Sequence, residues 1–198
     1  GRSWEFEPGE IFKVDDLLHV LLMESNNDAA EALAIRMGGT RFVEAMNLEV
    51  RNIGLKNTDF ANPTGLDPDE ADGLINYATA EDLFKITRDF LEKYPSLLNI
   101  TSKKEYDLYT ADGEFHHKIE NTNELLLSDW QDKNGETIKI LGGKTGETPF
   151  SQQNLILIVE APNKNGYLVN VVLGSPSRFD EMKKLVEWAF DAYSWQNP

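Results

Sequence analysis

The stretch Leu141-Gly142-Gly143-Lys144-Thr145-Gly146-Glu147-Thr148 constrains this chain more than any other. It follows an apolar, β-branched run, Thr137-Ile138-Lys139-Ile140, that reads as a strand. The strand is therefore expected to end in two glycines, a cation, a hydroxyl and a third glycine. Glycines there let another backbone approach closely. An ammonium and a hydroxyl side by side on a strand edge supply what a carboxylate ligand needs. Taken alone, Lys144 reads as a solvated lysine that protects a sheet edge. The two preceding glycines point the other way, because they remove side chains where a ligand could lie.

Around this stretch the pattern predicts an antiparallel meander. Ile138 to Leu141 is followed by Asn154 to Glu160, the turn Asn163-Lys164-Asn165-Gly166, and Leu168 to Leu173. Ser177 is placed to cap a long amphipathic helix on which Trp188 and Phe190 read as sheet-packing residues. Upstream, Glu105 to Thr110 and Glu114 to Ile119 flank Ala111-Asp112-Gly113 as a hairpin.

The earlier part reads as helical. From Val14, the residues Leu17, Leu18, Val20, Leu21 and Leu22 give an apolar helix buried on most sides, with Asp15 and Asp16 at its positive end. Ser25-Asn26-Asn27 breaks it, because these side chains compete for backbone hydrogen bonds. Asp28 opens a second helix that Gly38-Gly39 closes. Thr40 is read as the cap of a third helix ending at Gly54. Phe60 to Gly73 is a loop, and Thr79-Ala80-Glu81-Asp82 resembles a capping box ahead of Leu83 to Tyr94. The break between two apolar helices puts Ser25 and Asn27 in a buried or cleft-lining turn. The expected architecture is a single α/β (α+β) domain over residues 1–198. A helical part at about 14–100 precedes a sheet and terminal helix at about 103–195.

A formal charge of −15 argues against nucleic acid and anionic membrane surfaces as partners. The absence of cysteine excludes disulfides and thiolate chemistry and fits an extracytoplasmic protein. No run approaches the roughly 20 apolar residues that span a bilayer. His19, His116 and His117 invite a general-base or metal reading, but His19 lies within an apolar helix and the other two in a hairpin arm, with no Asp/Glu/His constellation at ligand spacing. No metal or cofactor is expected. The opening Gly1-Arg2-Ser3-Trp4 does not look like a natural start, so the chain reads as trimmed or fragmentary.

Ser25-x-Asn27 between two helices, followed by Lys144-Thr145-Gly146 on a strand, resembles two of the three motifs of the penicillin-recognising serine enzymes. Further stretches sharpen the resemblance to the D-alanyl-D-alanine carboxypeptidases, the low-molecular-weight penicillin-binding proteins. They are Leu21 to Ala30, Asn62-Pro63-Thr64-Gly65-Leu66-Asp67, Asn121-Thr122-Asn123, and Val171-Val172-Leu173-Gly174 leading into Arg178. The match covers essentially the whole chain in the family's order. The family's nucleophile lies in a Ser-x-x-Lys motif, and no serine here has a lysine three residues later. Ser102-Lys103-Lys104 comes closest, but Glu105 follows. The chain thus reads as such an enzyme without its N-terminal segment, which would also carry the first sheet strands. It is expected to be inactive as it stands, with any membrane anchor outside it. Stability is expected only if a retained upstream piece, a second copy or a swapped segment covers the open sheet edge.

The resemblance implies acyl transfer on the D-Ala-D-Ala end of peptidoglycan stem peptides, inhibited by β-lactams, outside the bacterial cytoplasmic membrane. It implies that Ser25 relays a proton toward the leaving D-alanine and that Asn27 holds substrate backbone and catalytic lysine. Lys144 holds Ser25 and adds positive potential, Thr145 bonds the substrate carboxylate, and Gly146 lets the acyl-donor strand lie on the sheet edge. Glu147 offers its backbone N–H as an oxyanion donor, so its side chain is expected to matter little. Arg178 has two readings, a carboxylate-attracting cation at the cleft mouth or a first-turn partner of Asp180 or Glu181. Asn121 and Asn123 read as loop fixers. Thr122 stands where some members carry arginine, and Ser151-Gln152 where many carry Ala-Gly. Two alternatives stay open. A class A β-lactamase would need a Glu-x-x-Leu-Asn loop, which Glu120-Asn121-Thr122-Asn123 does not match. A non-catalytic module would bind stem peptides or a partner protein.

Overall fold

The computed structural model describes residues 6–69, 73–162, 164 and 166–195. The opening residues Gly1 to Trp4, and Asn163 and Asn165 of the expected turn, lie outside the described residues. The helical part begins with α1 (Val14–His19), whose first turn carries Asp15 and Asp16. It runs on into a π-helical turn, Val20–Glu24, that ends at Ser25 with φ 63 and ψ 38. Single π turns widen a helix and recur at functional sites. Asn26 then caps α2 (Asn27–Met37), its side chain accepting from the Ala29 N–H at 2.9 Å. α3 (Phe42–Asn52) is entered through a 3₁₀ turn at Gly39–Arg41, with no side-chain cap. Thr40 is therefore not the cap: the positive φ of Gly38 and Gly39 turns the chain, and the Arg41 N–H bonds the Gly38 carbonyl instead.

α4 (Ala80–Lys93) is capped by Thr79, which accepts from the Asp82 N–H at 3.1 Å. The expected capping box is only half formed. The Asp82 carboxylate is buried and turned to Asn57 N (3.0 Å) and Thr58 Oγ1 (3.1 Å), anchoring the loop before the helix. A short α5 (Leu98–Thr101) leads to the hairpin of β1 (Glu105–Tyr109) and β2 (Phe115–Glu120). Val20, Met23, Ala29, Ile100, Leu108 and Ile119 form one buried core between these helices and the hairpin.

The second core belongs to the meander β3-β4-β5, all antiparallel. β3 spans Ile140–Thr148, β4 Gln152–Glu160 and β5 Tyr167–Ser175. Leu155, Leu157 and Val159 of β4 pack on Met182 and Val186 of α6 (Arg178–Ala192), with Trp130 and Ile138 beside them. The strand does not end in its glycines, as expected from sequence. Pairing continues from Gly142 opposite Ile158 to Thr148 opposite Gln152, while Thr137 makes only a bridge to Gln131. Ser177 does not cap α6 through its hydroxyl, which donates to Asp180 at 2.7 Å. Trp188 is 57% exposed, on the solvent side of α6, whereas Phe190 packs on the core. Among the described residues no helix is long and apolar enough to cross a membrane.

Candidate active site

The cleft lies between the two cores, with the α1–α2 junction contributing one wall and β3 the other. Its volume is about 1460 Å³, and Ser25, Asn27, Lys144, Thr145, Gly146 and Arg178 all line it. Ser25 reaches it because the π turn ends in a left-handed residue, an uncommon conformation for serine that its neighbours must hold. The Met23 carbonyl accepts from Thr122 N (2.9 Å) and Oγ1 (3.1 Å), and buried Asn26 caps the helix that follows.

Lys144 Nζ donates to Ser25 Oγ across 119 residues of sequence and to the Thr145 carbonyl at 2.6 Å. Burial, and then the charge of Arg178, pull the Lys144 ammonium down to about 8. A cation so placed gives up its proton more readily than a surface lysine.

Thr145 is buried, and its hydroxyl lies 2.6 Å from that of Thr122. Thr122 Oγ1 donates its one proton to the Met23 carbonyl, so Thr145 must be the donor between the two hydroxyls. To donate to a ligand carboxylate, Thr145 needs Thr122 to turn its proton round, leaving the Met23 carbonyl to Thr122 N. Thr122 therefore sets the polarity of Thr145, a role its reading as a missing cation did not reveal.

The two glycines before Lys144 make room for the protein itself and not for a ligand. A Cβ on Gly142 would lie 2.3 Å from Thr101 Oγ1 of α5, and one on Gly143 would lie 2.6 Å from the Ile156 carbonyl. Gly146 differs, since the nearest atom to its Cβ would be Asn154 Cβ at 3.8 Å. This is the open part of the strand.

Arg178 donates through Nη1 to Glu147 Oε2 (2.9 Å) and to the Gly146 carbonyl (3.3 Å), and stacks over Phe179. It does not pair with Asp180 or Glu181, because the strand end is nearer and Asp180 is held by Ser177. The Glu147 side chain thus faces this cation, a contact its sequence reading did not include. The Arg178 Nε is buried with no hydrogen-bond partner. Asn27 opens α2 and is exposed on the cleft wall.

The facing loop is built by Asn62, which accepts from Thr64 N, Thr64 Oγ1 and Gly65 N. Asp67 ties it to the β3–β4 turn, accepting from Thr148 Oγ1 (2.8 Å) and Phe150 N (2.9 Å). Asn121 fixes its loop on the Thr101 and Lys103 carbonyls. Asn123 is buried beneath Gly143 and fixes the loop through its backbone, its N–H donating to Asn121 Oδ1 (2.9 Å) and its carbonyl accepting from Leu126 N (3.1 Å), while its side-chain amide has no hydrogen-bond partner.

His19 is stacked on Tyr106 between Asp15 and Lys103. His116 and His117 do belong to a carboxylate cluster, formed with Glu10 and Glu24, that distance in sequence concealed. Among the described residues no group of three or more His, Cys, Asp or Glu is placed to hold a metal ion.

A family model described as D-alanyl-D-alanine carboxypeptidase matches residues 3–177. The chain is similar to the D-alanyl-D-alanine carboxypeptidase DacA of Haemophilus influenzae, 35% identical over 182 residues, covering 89% of this chain and 42% of the relative. It is similar also to DacF of Bacillus subtilis, 31% identical over 199 residues, covering 98% and 46%. The chain therefore spans less than half the length of these curated relatives. Among solved structures it is similar to penicillin-binding protein D2 of Listeria monocytogenes in its ampicillin-bound form. There the TM-score is 0.75 at 32% identity, over 90% of this chain and 68% of that one. Penicillin binding protein 5 of Haemophilus influenzae gives 0.74 at 33% identity, over 93% and 52%.

Proposed function

The chain belongs to the D-alanyl-D-alanine carboxypeptidase family, and from that premise we propose that its protein removes the terminal D-alanine from peptidoglycan stem peptides through an acyl-enzyme. β-Lactams are proposed to enter the same cleft. The observation that carries this reading is the contact of Lys144 Nζ with Ser25 Oγ. Because Lys144 donates to Ser25, the serine's own proton is free to turn toward the leaving nitrogen. Ser25 passes that proton to the departing D-alanine amine and takes one from Lys144, whose lowered affinity suits the transfer. The substrate carboxylate lies near Thr145 and Arg178, and its backbone runs along the open edge at Gly146. The backbone N–H of Glu147 supplies one oxyanion donor, and Asn27 holds the substrate backbone.

The nucleophile is not among these residues, since no serine precedes a lysine by three positions. The activity is proposed for a protein that brings a Ser-x-x-Lys segment to this cleft, working where peptidoglycan lies, outside the cytoplasmic membrane. Incubation of the natural-length gene product with benzylpenicillin, followed by intact-mass measurement and peptide mapping, tests the reading. One adduct on a serine outside these 198 residues, with none on this chain alone, is the expected result. No adduct on the natural-length protein would favour a non-catalytic module, and an adduct within the chain would displace the nucleophile assignment.

A further inference from the structure

Two contacts join β3 to the helical side through groups that the proposed reaction uses, Lys144 to Ser25 and Thr145 to Thr122. A third joins them through groups it does not use. Side chains alternate along a strand, so Lys144 and Thr148 share a face of β3. Thr148 Oγ1 donates to Asp67 Oδ1 at 2.8 Å, and Phe150 N donates to Asp67 Oδ2 at 2.9 Å. One carboxylate thus takes both the end of β3 and the turn after it, through bonds to an ionised acceptor. Inside the turn, Thr148 Oγ1 accepts from Ser151 N at 3.0 Å, and Asn154 Nδ2 donates to the Ser151 and Gln152 carbonyls.

The loop that carries Asp67 is rooted in the helical side. Asp59 and Tyr77 close its base with two backbone bonds of 3.0 Å. Asn47 of α3 accepts from Phe60 N at 2.8 Å and donates to the Phe60 carbonyl at 2.7 Å. Asn76 accepts from Ala61 N and Asn62 N. Pro63, Thr64, Gly65 and Leu66 then line the cleft, and Asp67 lands on the end of β3.

We propose that Asp67 is a positioning residue for acyl transfer, a clasp that holds the strand end bearing the Glu147 N–H at a fixed spacing from the Ser25 side. It rests on the acyl-enzyme reading above. In that reaction Ser25 exchanges a proton with Lys144, and Thr145 turns its hydroxyl to the substrate carboxylate, so both of those contacts change partners. The Asp67 bonds take no part in the exchange and keep the two walls in place while it happens. An oxyanion donor must be aimed at the point where charge develops, so a small displacement costs rate more than binding. Thr148 is the residue next to that donor.

Acylation of the natural-length protein by benzylpenicillin, followed by intact mass over a range of times and concentrations, separates rate from binding. Asp67→Ala is expected to lower the saturating rate about tenfold, with the half-saturating concentration changed less than about twofold. Asp67→Asn can still accept from Phe150 N and can donate to Thr148 Oγ1, so it should recover the rate to within about threefold. Thr148→Val should also slow acylation, and adding it to Asp67→Ala should slow it no further. An unchanged rate in Asp67→Ala, a loss confined to half-saturation, or equal losses in Asp67→Ala and Asp67→Asn would overturn the proposal. Should Asp67→Ala fail to fold, Thr148→Val, which keeps the Phe150 bond, decides by the same separation of rate from binding. An unaltered protein that takes no adduct would overturn the acyl-enzyme reading itself and the clasp's role with it, a result distinct from the others.

Discussion

Glu147 lays its carboxylate against Arg178, 2.9 Å from Nη1, where the guanidinium also reaches the Gly146 carbonyl. The cation at the end of β3 thus already faces the chain's own carboxylate, which would compete with the ligand carboxylate proposed to approach Arg178. The Glu147 side chain is 55% exposed, so the pair is worth at most about 1 kcal/mol. Replacing Glu147 by Gln is therefore expected to strengthen binding of a D-Ala-D-Ala-terminated peptide to the natural-length protein by about two- to fivefold. The same peptide ending in an amide should bind unchanged. Calorimetry with both peptides decides, and an equal gain for the two would mean that Arg178 does not read the carboxylate.

Lys144 carries a pH signature. Its folded-state affinity, lowered to about 8 by burial and then by Arg178, lies below the 10.5 of an unperturbed lysine. The folded chain therefore binds fewer protons than the unfolded chain between those values. The charge penalises folding at neutral pH, and the penalty fades as pH rises from about 8 to 10.5. Against a Lys144→Met variant, the unaltered chain should gain relative stability in urea between neutral pH and pH about 10. Arg178→Gln removes only the second cause, so the Lys144 titration should move part of the way up.

Much of this arrangement was legible in the sequence. The alternation of β4, β5 and the hairpin is a local pattern, as is the polar break at Ser25-Asn26-Asn27. The Ser25–Lys144 contact followed from the resemblance, not from any local pattern. What stayed hidden depends on neighbours distant in sequence. The glycines at Gly142 and Gly143 looked like a strand end because α5, the element they accommodate, is too short to show a period. The π turn at Val20–Glu24 and the bulge at His116 arise from packing, so the histidine–carboxylate cluster they assemble left no spacing to read. Arg178 and Glu147 are far apart in the chain, and only the register of β3 beside the start of α6 joins them.

Glu24 predicts the opposite pH sign from Lys144. Burial raises it from 4.5 to about 7, so the folded state holds a proton that the unfolded chain releases. Its contribution is fully present below pH 4.5 and is lost as pH rises toward 7. Glu24→Gln cannot ionise and should escape that loss. Relative to the unaltered chain, the variant should gain about 1–3 kcal/mol between pH about 4.5 and 7. A constant difference across that range would mean that Glu24 is ionised at little cost, held by His117.

The three glycines of β3 should separate by what their missing side chains would meet. An alanine methyl at position 143 would press on the Ile156 carbonyl, at 2.6 Å. A carbonyl inside a paired strand can yield only if β3 and β4 part. At position 142 the obstacles are Thr101 Oγ1 at 2.3 Å and Leu98 Cδ2 at 2.9 Å, both side-chain atoms that can rotate. Gly142→Ala is expected to cost about 1–3 kcal/mol, and Gly143→Ala the upper end of that range or more. Gly146→Ala meets nothing closer than 3.8 Å and should fall within about 0.5 kcal/mol of the unaltered chain. Yet a methyl there would stand on the open strand edge, so the same variant of the natural-length protein should acylate more slowly with benzylpenicillin. Urea midpoints of the three variants give the ranking. If Gly146→Ala were as destabilising as Gly143→Ala, the edge would be closed by the protein itself and no peptide strand could lie along it.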